Sequence, residues 1–415
     1  VRVAEDLYQP YPVAMPAPAS AVAFTIKLGR ALHHYGMPAH RLEEAMRLVS
    51  ERLGLEARFF SSPTSIIASF GPPEALQTAL IRVDPGEMDL GKLVRLDTLA
   101  DEVILGTRTP EDGSQRVEEI LAAPQAYGPF LLLLCWALAA FAGARLFGGG
   151  LMEMSVSGFA SLLIGGLDLL SRSRPAVARV LVPVSALLAS TIAVVAGALV
   201  GPLAGKVVTL ASLIVLLPGL TLTVAMTEMA TRNLLSGTSR MMSAALVFLQ
   251  LGFGVALGSR LQVLLPPVQS PLPGPLAHWT ELAALAGLAL SVCVIFNARR
   301  RDAGWILLAG ALAYVGTRFG AYLLGPELGA FVGAVILGMA SNAVSTLRNK
   351  PALVTIVPGL MLLVPGSIGF RSLSSLLERN VVAGVDTAFN MLMVAVALAA
   401  GLLVANAIVP ARKVL

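Results

Sequence analysis

From Tyr127 onward, long apolar runs alternate with short polar ones, and most runs approach the roughly 20 residues of helix that cross a bilayer core. They cover Tyr127–Phe147, Leu151–Leu170, Val180–Val200, Lys206–Met226, Met241–Leu261, Leu282–Phe296, Ala303–Leu324, Leu328–Val344, Ala352–Leu373 and Ala388–Val409, about ten predicted spans. Before Tyr127 the pattern changes. Ala21–Leu53 has helical periodicity interrupted at Gly36-Met37-Pro38, "EARFFSSPTSIIASF" and "LQTALIRVD" read as three short strands, and helices are expected over Asp89–Leu105 and Pro110–Ala122. The predicted class is a polytopic α-helical membrane protein with a small α+β domain ahead of it. The expected boundaries are a disordered segment at 1–20, the α+β domain at 21–123, membrane segments at 127–261 and 282–410, and an external Pro-rich linker at 262–281.

Composition agrees with the pattern, at 56% hydrophobic and 13% charged residues with a mean hydropathy of +0.78. Charge divides at the same boundary. Up to Ala123 there are 12 Lys and Arg against 17 Asp and Glu, so the totals of 30 and 25 leave 18 against 8 beyond it. The basic residues cluster in alternate loops, around Arg172, Arg232, Arg299, Arg348 and Arg412, which by the positive-inside bias places both termini and the acidic domain in the cytoplasm. No basic patch with interleaved aromatics points to nucleic acid. Cys135 and Cys293 both lie in apolar runs and read as packing residues. His33, His34 and His40 with Glu43 and Glu44 match no strong zinc spacing and read as solvated helix residues, and no cofactor is expected.

Two runs are broken. "LLPGLTLTVAMTEMATRNLLSG" begins at Leu216 and "LVPGSIGFRSLSSLLERNVVAG" at Leu363, and a shift of 147 aligns them with six identities in 22 positions. The shift pairs Pro218 with Pro365, Gly219 with Gly366 and Asn233 with Asn380. Five spans separate the pair, so the halves would be two inverted five-helix repeats. Broken helices in corresponding positions of inverted repeats point to a secondary transporter whose site lies between them; chance alignment of two Pro kinks is the competing explanation. Proline removes an N–H and crowds the preceding turn, here at Ile214, while Gly219 accepts whatever dihedral the break requires. The freed backbone groups need a cavity or a partner, because lipid satisfies neither donor nor acceptor.

A half-helix that starts after Gly219 would aim its amides at an anion, and freed carbonyls would accept from an ammonium, which together suit an amino acid. Thr221, Thr223 and Ser367 follow the breaks and offer hydroxyls; bonding back to their own helices is the commoner fate. Pro358-Gly359 and Pro365-Gly366, seven residues apart, are read as one extended second break. Arg371, Asn233 and Asn380 complete the candidate binding set. Asp168, Glu228, Arg318, Arg371 and Asp386 are the ionisable residues near membrane depth, with Glu153 and Glu327 at span ends. Asp386 and Glu228 are the candidates for proton coupling. Against Glu228 stands an ordinary interfacial helix with Arg232 four residues on.

With "GMPAHRLEEAMRLVSERLGL", "SSPTSIIASF", "DLGKLVRLDTLADEV", "LVPGSIGFRSLSSLLE" and "ALAAGLLVAN", the chain resembles the bacterial threonine/serine exporter family in its fused form, over nearly its whole length. The resemblance implies about ten spans, a cytoplasmic N-terminal domain and export of threonine and serine driven by the proton-motive force across the bacterial inner membrane. A split relative is associated with succinate, so a dicarboxylate is the alternative substrate. The implied partners are the small molecule, protons and the lipid bilayer, with a homo-oligomer left open. Neither GxSxG, HExxH nor a Walker A sequence is present, so an enzyme or an ATP-driven pump has no support, a membrane-anchored hydrolase has little, and a channel stays open.

Overall fold

A computed structural model describes residues 19–84, 86–264, 276–363 and 366–410. The chain separates into two compact units, one containing residues up to Glu87 and Lys92–Ala123, the other Met88–Gly91 and Pro124–Lys413.

In the first unit α1 (Ala19–His34) and α2 (Ala39–Arg52) meet at the Gly36-Met37-Pro38 turn, where Gly36 takes a φ of 82°. Strands β1 (Ala57–Ser62), β2 (Ser65–Phe70) and β3 (Gln77–Arg82) form an antiparallel meander with Ala57 opposite Phe70 and Ser65 opposite Arg82. Helices α3 (Leu90–Ile104) and α4 (Pro110–Ala122) follow, and Thr109 caps α4 by accepting from the Asp112 amide at 3.2 Å, with Pro110 in the first turn. Phe24, Leu28, Leu32, Leu42, Met46, Ile66 and Leu96 are buried at its centre. The histidine and glutamate group is structural here: the His33 ring bonds the Ser62 carbonyl at 2.8 Å, and Glu43 accepts from the Ser61 amide at 2.6 Å, tying both helices to β1. Of the expected disordered segment, Ala19 and Ser20 are described, and they open α1.

The second unit is helical throughout: α5 (Pro129–Leu146), α6 (Leu151–Ser173), α7 (Pro175–Leu199), α8 (Gly205–Ser212), α9 (Gly219–Ala230) and α10 (Leu234–Ser259), then α11 (Trp279–Ile295), α12 (Ala303–Leu324), α13 (Pro326–Arg348), α14 (Leu353–Leu362), α15 (Gly366–Leu377) and α16 (Val381–Ile408). Among the described residues, 8 helices are long and apolar enough to cross a membrane. The shortfall against the sequence reading has local causes. The run expected as one span over Lys206–Met226 is two short helices, α8 and α9, and α11 is an apolar helix of 17 residues. Several helices also begin before their apolar windows. α7 starts at Pro175, α10 at Leu234 and α16 at Val381, so Arg179, Arg240 and Asp386 stand inside helices instead of in loops.

A single backbone unit recurs at the sequence shift of 147. Helices α9 and α15 are both 12 residues long, each begins at the aligned glycine, and each ends in a tight turn whose arginine has positive φ, 67° at Arg232 and 64° at Arg379. The turn bonds repeat as well: Asn233 N–H to Glu228 O at 2.8 Å, and Asn380 N–H to Ser375 O at 2.9 Å. α9 lies against α16, and α15 against α10. Close approach is bought by small residues: Gly316 and Gly320 on α12 face Gly329 and Gly333 on α13, where a Cβ at Gly329 would meet the Thr317 carbonyl oxygen at 2.7 Å.

The second break differs from the sequence reading. Pro358 lies inside α14 and Gly359 is packed beneath Leu337, so no break occurs there. The helix passes Pro358 by forgoing the bond that its missing N–H would make one turn back. α14 ends at Leu362 and α15 begins at Gly366, and Val364 and Pro365 between them lie outside the described residues. Nor does Gly219 use a left-handed dihedral, since it is absent from the positive-φ glycines; Pro218 takes φ −81° and ψ 37° at the entry to α9.

Candidate functional site

One cavity of about 300 Å³ is lined by residues of the first interruption and by the facing ends of α14 and α15. The first interruption supplies Ile214, Val215 and Leu217, the end of α14 Met361 and Leu362, and the start of α15 Ser367. α5 and α11 close the sides with apolar residues, among them Ala139, Leu285 and Leu288. Backbone bonds within the first interruption are short-range, with Ile214 N–H to Ala211 O at 3.2 Å, Leu216 N–H to Leu213 O at 2.9 Å and Gly219 N–H to Leu217 O at 2.9 Å.

One end of the cavity is charged. Arg145, in the last turn of α5, donates from Nε to Thr280 Oγ1 at 2.7 Å, and its Nη2 stands 3.4 Å from Glu281 Oε1. Arg318 on α12 places Nη2 3.2 Å from the other oxygen, Glu281 Oε2, and donates from Nε to the Tyr314 hydroxyl at 3.1 Å. Its guanidinium also lies 5.4 Å from the centre of the Tyr314 ring. One carboxylate is therefore shared by two guanidiniums. Exposure grades across the cluster, with side chains 9% exposed at Arg145, 29% at Glu281 and 67% at Arg318, so Arg145 is the inner cation and Arg318 the outer one.

The residues singled out in the sequence fall in several places. Ser367 lines the cavity. Pro218 and Gly219 are buried directly after Leu217, which lines it. Thr223 is buried and donates to the Gly219 carbonyl at 3.2 Å, the bonding back to its own helix that competes with a ligand. Thr221 is half-buried in the first turn of α9. Arg371 is exposed, with its guanidinium 5.9 Å from the centre of the Phe147 ring, a residue that also lines the cavity. Asn233 and Asn380 stand in the turns that enter α10 and α16, where Asn380 accepts from the Ala383 amide at 3.3 Å. Neither is part of the cavity wall.

Of the two carboxylates proposed for protons, Glu228 is fully buried within the protein. Arg240 Nε donates to both of its carboxylate oxygens, at 3.1 and 3.0 Å, and Ser236 Oγ donates at 2.9 Å. The turn at Arg232 folds α10 back along α9 and brings Arg240 across. Asp386 is exposed on the second turn of α16, 3.5 Å from the Asn390 amide nitrogen.

Sequence reasoning missed Arg145, Thr280, Glu281 and Tyr314 as site residues. Arg145 and Glu281 are 136 residues apart, and Glu281 and Arg318 are 37 apart, so no local spacing marks them. The available signal was a lone charge in the last turn of one apolar run and another in the first turn of a second.

A wider cavity of about 690 Å³ lies between α7, α8, α10 and α15, lined by Ser190, Thr209, Lys206, Arg260 and Glu378 among others. No described residue of either interruption lines it. Residues 23–262 match the family model described as "Putative threonine/serine exporter", and residues 282–408 match "Threonine/Serine exporter, ThrE". The chain belongs to the threonine/serine exporter family. Membership makes it a membrane protein of a transporter family, for which catalysis has no support. The chain is also similar to pheromone-regulated membrane protein 10 of Saccharomyces cerevisiae, 26% identical over 385 residues that cover 88% of this chain and 49% of that protein. The protein of the same name in Eremothecium gossypii is 26% identical, covering 88% and 51%, and that of Candida albicans is 26% identical, covering 88% and 34%. The chain thus spans about half the length, or less, of these relatives. No solved structure matches it.

Proposed function

We propose that this exporter-family chain is a secondary active exporter of small hydroxylated amino acids, threonine and serine, driven by protons and built from two inverted five-helix halves. The observation that carries the reading is the convergence of the first interruption and the facing ends of α14 and α15 on one cavity. Interruptions that recur at a constant shift and lead into one pocket suit alternating access, in which a rocking motion of one half against the other exposes the same site to each face in turn. The ten passes would be α5, α6, α7, the pair α8 and α9, α10, and their five counterparts. Residues 21–123 would form a cytoplasmic domain, and both termini would lie in the cytoplasm of a bacterium, with the bundle in its inner membrane.

In this reading Pro218, Gly219, Thr221, Thr223, Pro365, Gly366 and Ser367 bring backbone and hydroxyls to the substrate. Pro358, Gly359 and Arg371 act behind them, and Asn233 and Asn380 set the turns about which the short helices move. Export against a gradient needs an ion, and Asp386 and Glu228 are the carboxylates proposed to carry it. Glu228 is committed to Arg240, so Asp386 has the better claim.

The test is reconstitution of the full chain in vesicles, with counterflow of labelled threonine and a panel of amino acids and dicarboxylates. Saturable counterflow with threonine or serine supports a carrier of these substrates; conductance without counterflow identifies a channel. Gly219→Leu and Gly366→Leu should abolish transport in folded protein. Asp386→Asn should lose export driven by a pH gradient and keep exchange without one. Succinate remains the second reading because two guanidiniums stand at the cavity's charged end.

A further inference from the structure

The charged end of the cavity has an asymmetry that chooses between these substrates. Two guanidiniums and one carboxylate leave an excess of one positive charge, and the carboxylate sits between the cations, one oxygen toward each. The two bridges are long, at 3.4 and 3.2 Å, at or beyond the far end of the ordinary N–H···O range. Each arginine is held instead by a hydroxyl, Arg145 by Thr280 at 2.7 Å and Arg318 by Tyr314, with Nη2 at 2.9 Å. A guanidinium carries five N–H donors, more than these bonds use. The cations are thus fixed by neutral groups and loosely neutralised by Glu281, an arrangement that exchanges one carboxylate for another without dismantling the wall.

We propose that Arg145, Glu281 and Arg318 form a zwitterion-recognition cluster in which the guanidiniums take the α-carboxylate of an amino acid, Glu281 takes its ammonium, and Glu281 thereby excludes dicarboxylates. This rests on the reading of the cavity as the substrate site. A zwitterion adds no net charge to the cluster and offers a cation to Glu281 as it takes Glu281's place on an arginine. A dicarboxylate brings two negative charges beside Glu281 and nothing to pair with it, so the same residue that completes an amino acid site repels a dianion. Removing only the charge of Glu281 reverses that balance. With two cations and no anion, the cluster matches the charge of a dicarboxylate.

The experiment measures binding by detergent-solubilised full-length protein, by calorimetry with threonine and succinate, alongside vesicle counterflow. Glu281→Gln should weaken threonine by about tenfold or more, the loss expected of a charge-assisted hydrogen bond, and should strengthen succinate. Glu281→Asp should retain the wild-type order. Arg318→Gln, at the exposed end, should weaken both ligands, and it keeps the question answerable if Glu281→Gln does not fold. Threonine affinity unchanged in Glu281→Gln, or in Arg318→Gln if that variant alone folds, overturns the cluster's role while leaving the exporter reading intact. A wild type that binds succinate and no amino acid overturns the substrate reading and the cluster's role together.

Discussion

The α9–α10 and α15–α16 hairpins share a backbone and bury different chemistry. In each, a 12-residue helix ends in a left-handed arginine and turns into a long helix, whose first turns press a glycine against the short one. Inside the first hairpin lies the Glu228–Arg240 pair with the Ser236 hydroxyl. The shift of 147 places Ser375, Thr387 and Ala383 at those positions, and the second hairpin is tied instead by Ser372 donating to the Gly384 carbonyl at 2.6 Å. Backbone geometry is therefore duplicated while the charge is not. A buried ion pair is costly to separate, so α9 and α10 are expected to move as one piece, whereas the neutral Ser372 bond should leave α15 and α16 freer to part.

The largest expected effect tests that difference directly. Arg240→Gln strips the buried Glu228 carboxylate of the Arg240 cation and should destabilise the protein by about 3–5 kcal/mol, read from denaturation in detergent. Ser375→Ala, at the position the shift pairs with Glu228, should cost under about 1 kcal/mol. Similar losses from the two would show that the pair locks nothing, and the comparison between hairpins would fail.

Next come the glycines. A Cβ on Gly237 would meet the Ala225 carbonyl oxygen at 2.9 Å and the Met229 Cγ at 2.5 Å; on Gly384 it would meet the Leu376 side chain at 2.5 Å, with the nearest backbone atom at 3.2 Å. The Leu376 side chain, met also at its Cγ at 2.6 Å, relieves the contact by a change of rotamer, a freedom a helix carbonyl lacks. Gly237→Ala should therefore cost about 1–3 kcal/mol, and Gly384→Ala distinctly less, by the same denaturation measurement. The reverse order would mean that the second hairpin is the tighter one.

Much of this architecture can be read from residue order, and the reasons are local. Thr109-Pro110 announces the start of α4, and Pro218-Gly219 and Pro365-Gly366 sit where short helices begin, since proline and glycine act on their own turn. Pro358 misled because a helix tolerates one missing donor when its neighbours are packed all round, and packing leaves no mark in the sequence nearby. Glu228 is legible only in part for a related reason. The i, i+4 rule points to Arg232, and the left-handed turn at Arg232 delivers Arg240, 12 residues on, to the carboxylate. The charged end of the cavity draws on three helices, and only the assembled fold brings those residues together.

The smallest effects are expected from two lysines, Lys350 ahead of α14 and Lys206 in α8. Lys350, just before α14, reaches the carboxylate of Asp302, which is 2% exposed and also pairs with Arg299 at 3.0 Å. Lys206, in the first turn of α8, meets Glu378 at 2.7 Å, but the two side chains are 75% and 52% exposed. Removing Lys350 leaves a buried carboxylate with Arg299 still in place, so Lys350→Gln should cost about 1–2 kcal/mol, less than the loss at Arg240. Water and salt screen the Lys206 pair, and holding two long side chains together offsets most of the attraction, so Lys206→Gln should change stability by under about 0.5 kcal/mol. Repeating both denaturation series at low and high salt separates the cases. The Lys350 deficit should persist at high salt, while any small Lys206 deficit should vanish; a salt-resistant loss at Lys206 would show that the halves are joined there by more than a surface ion pair.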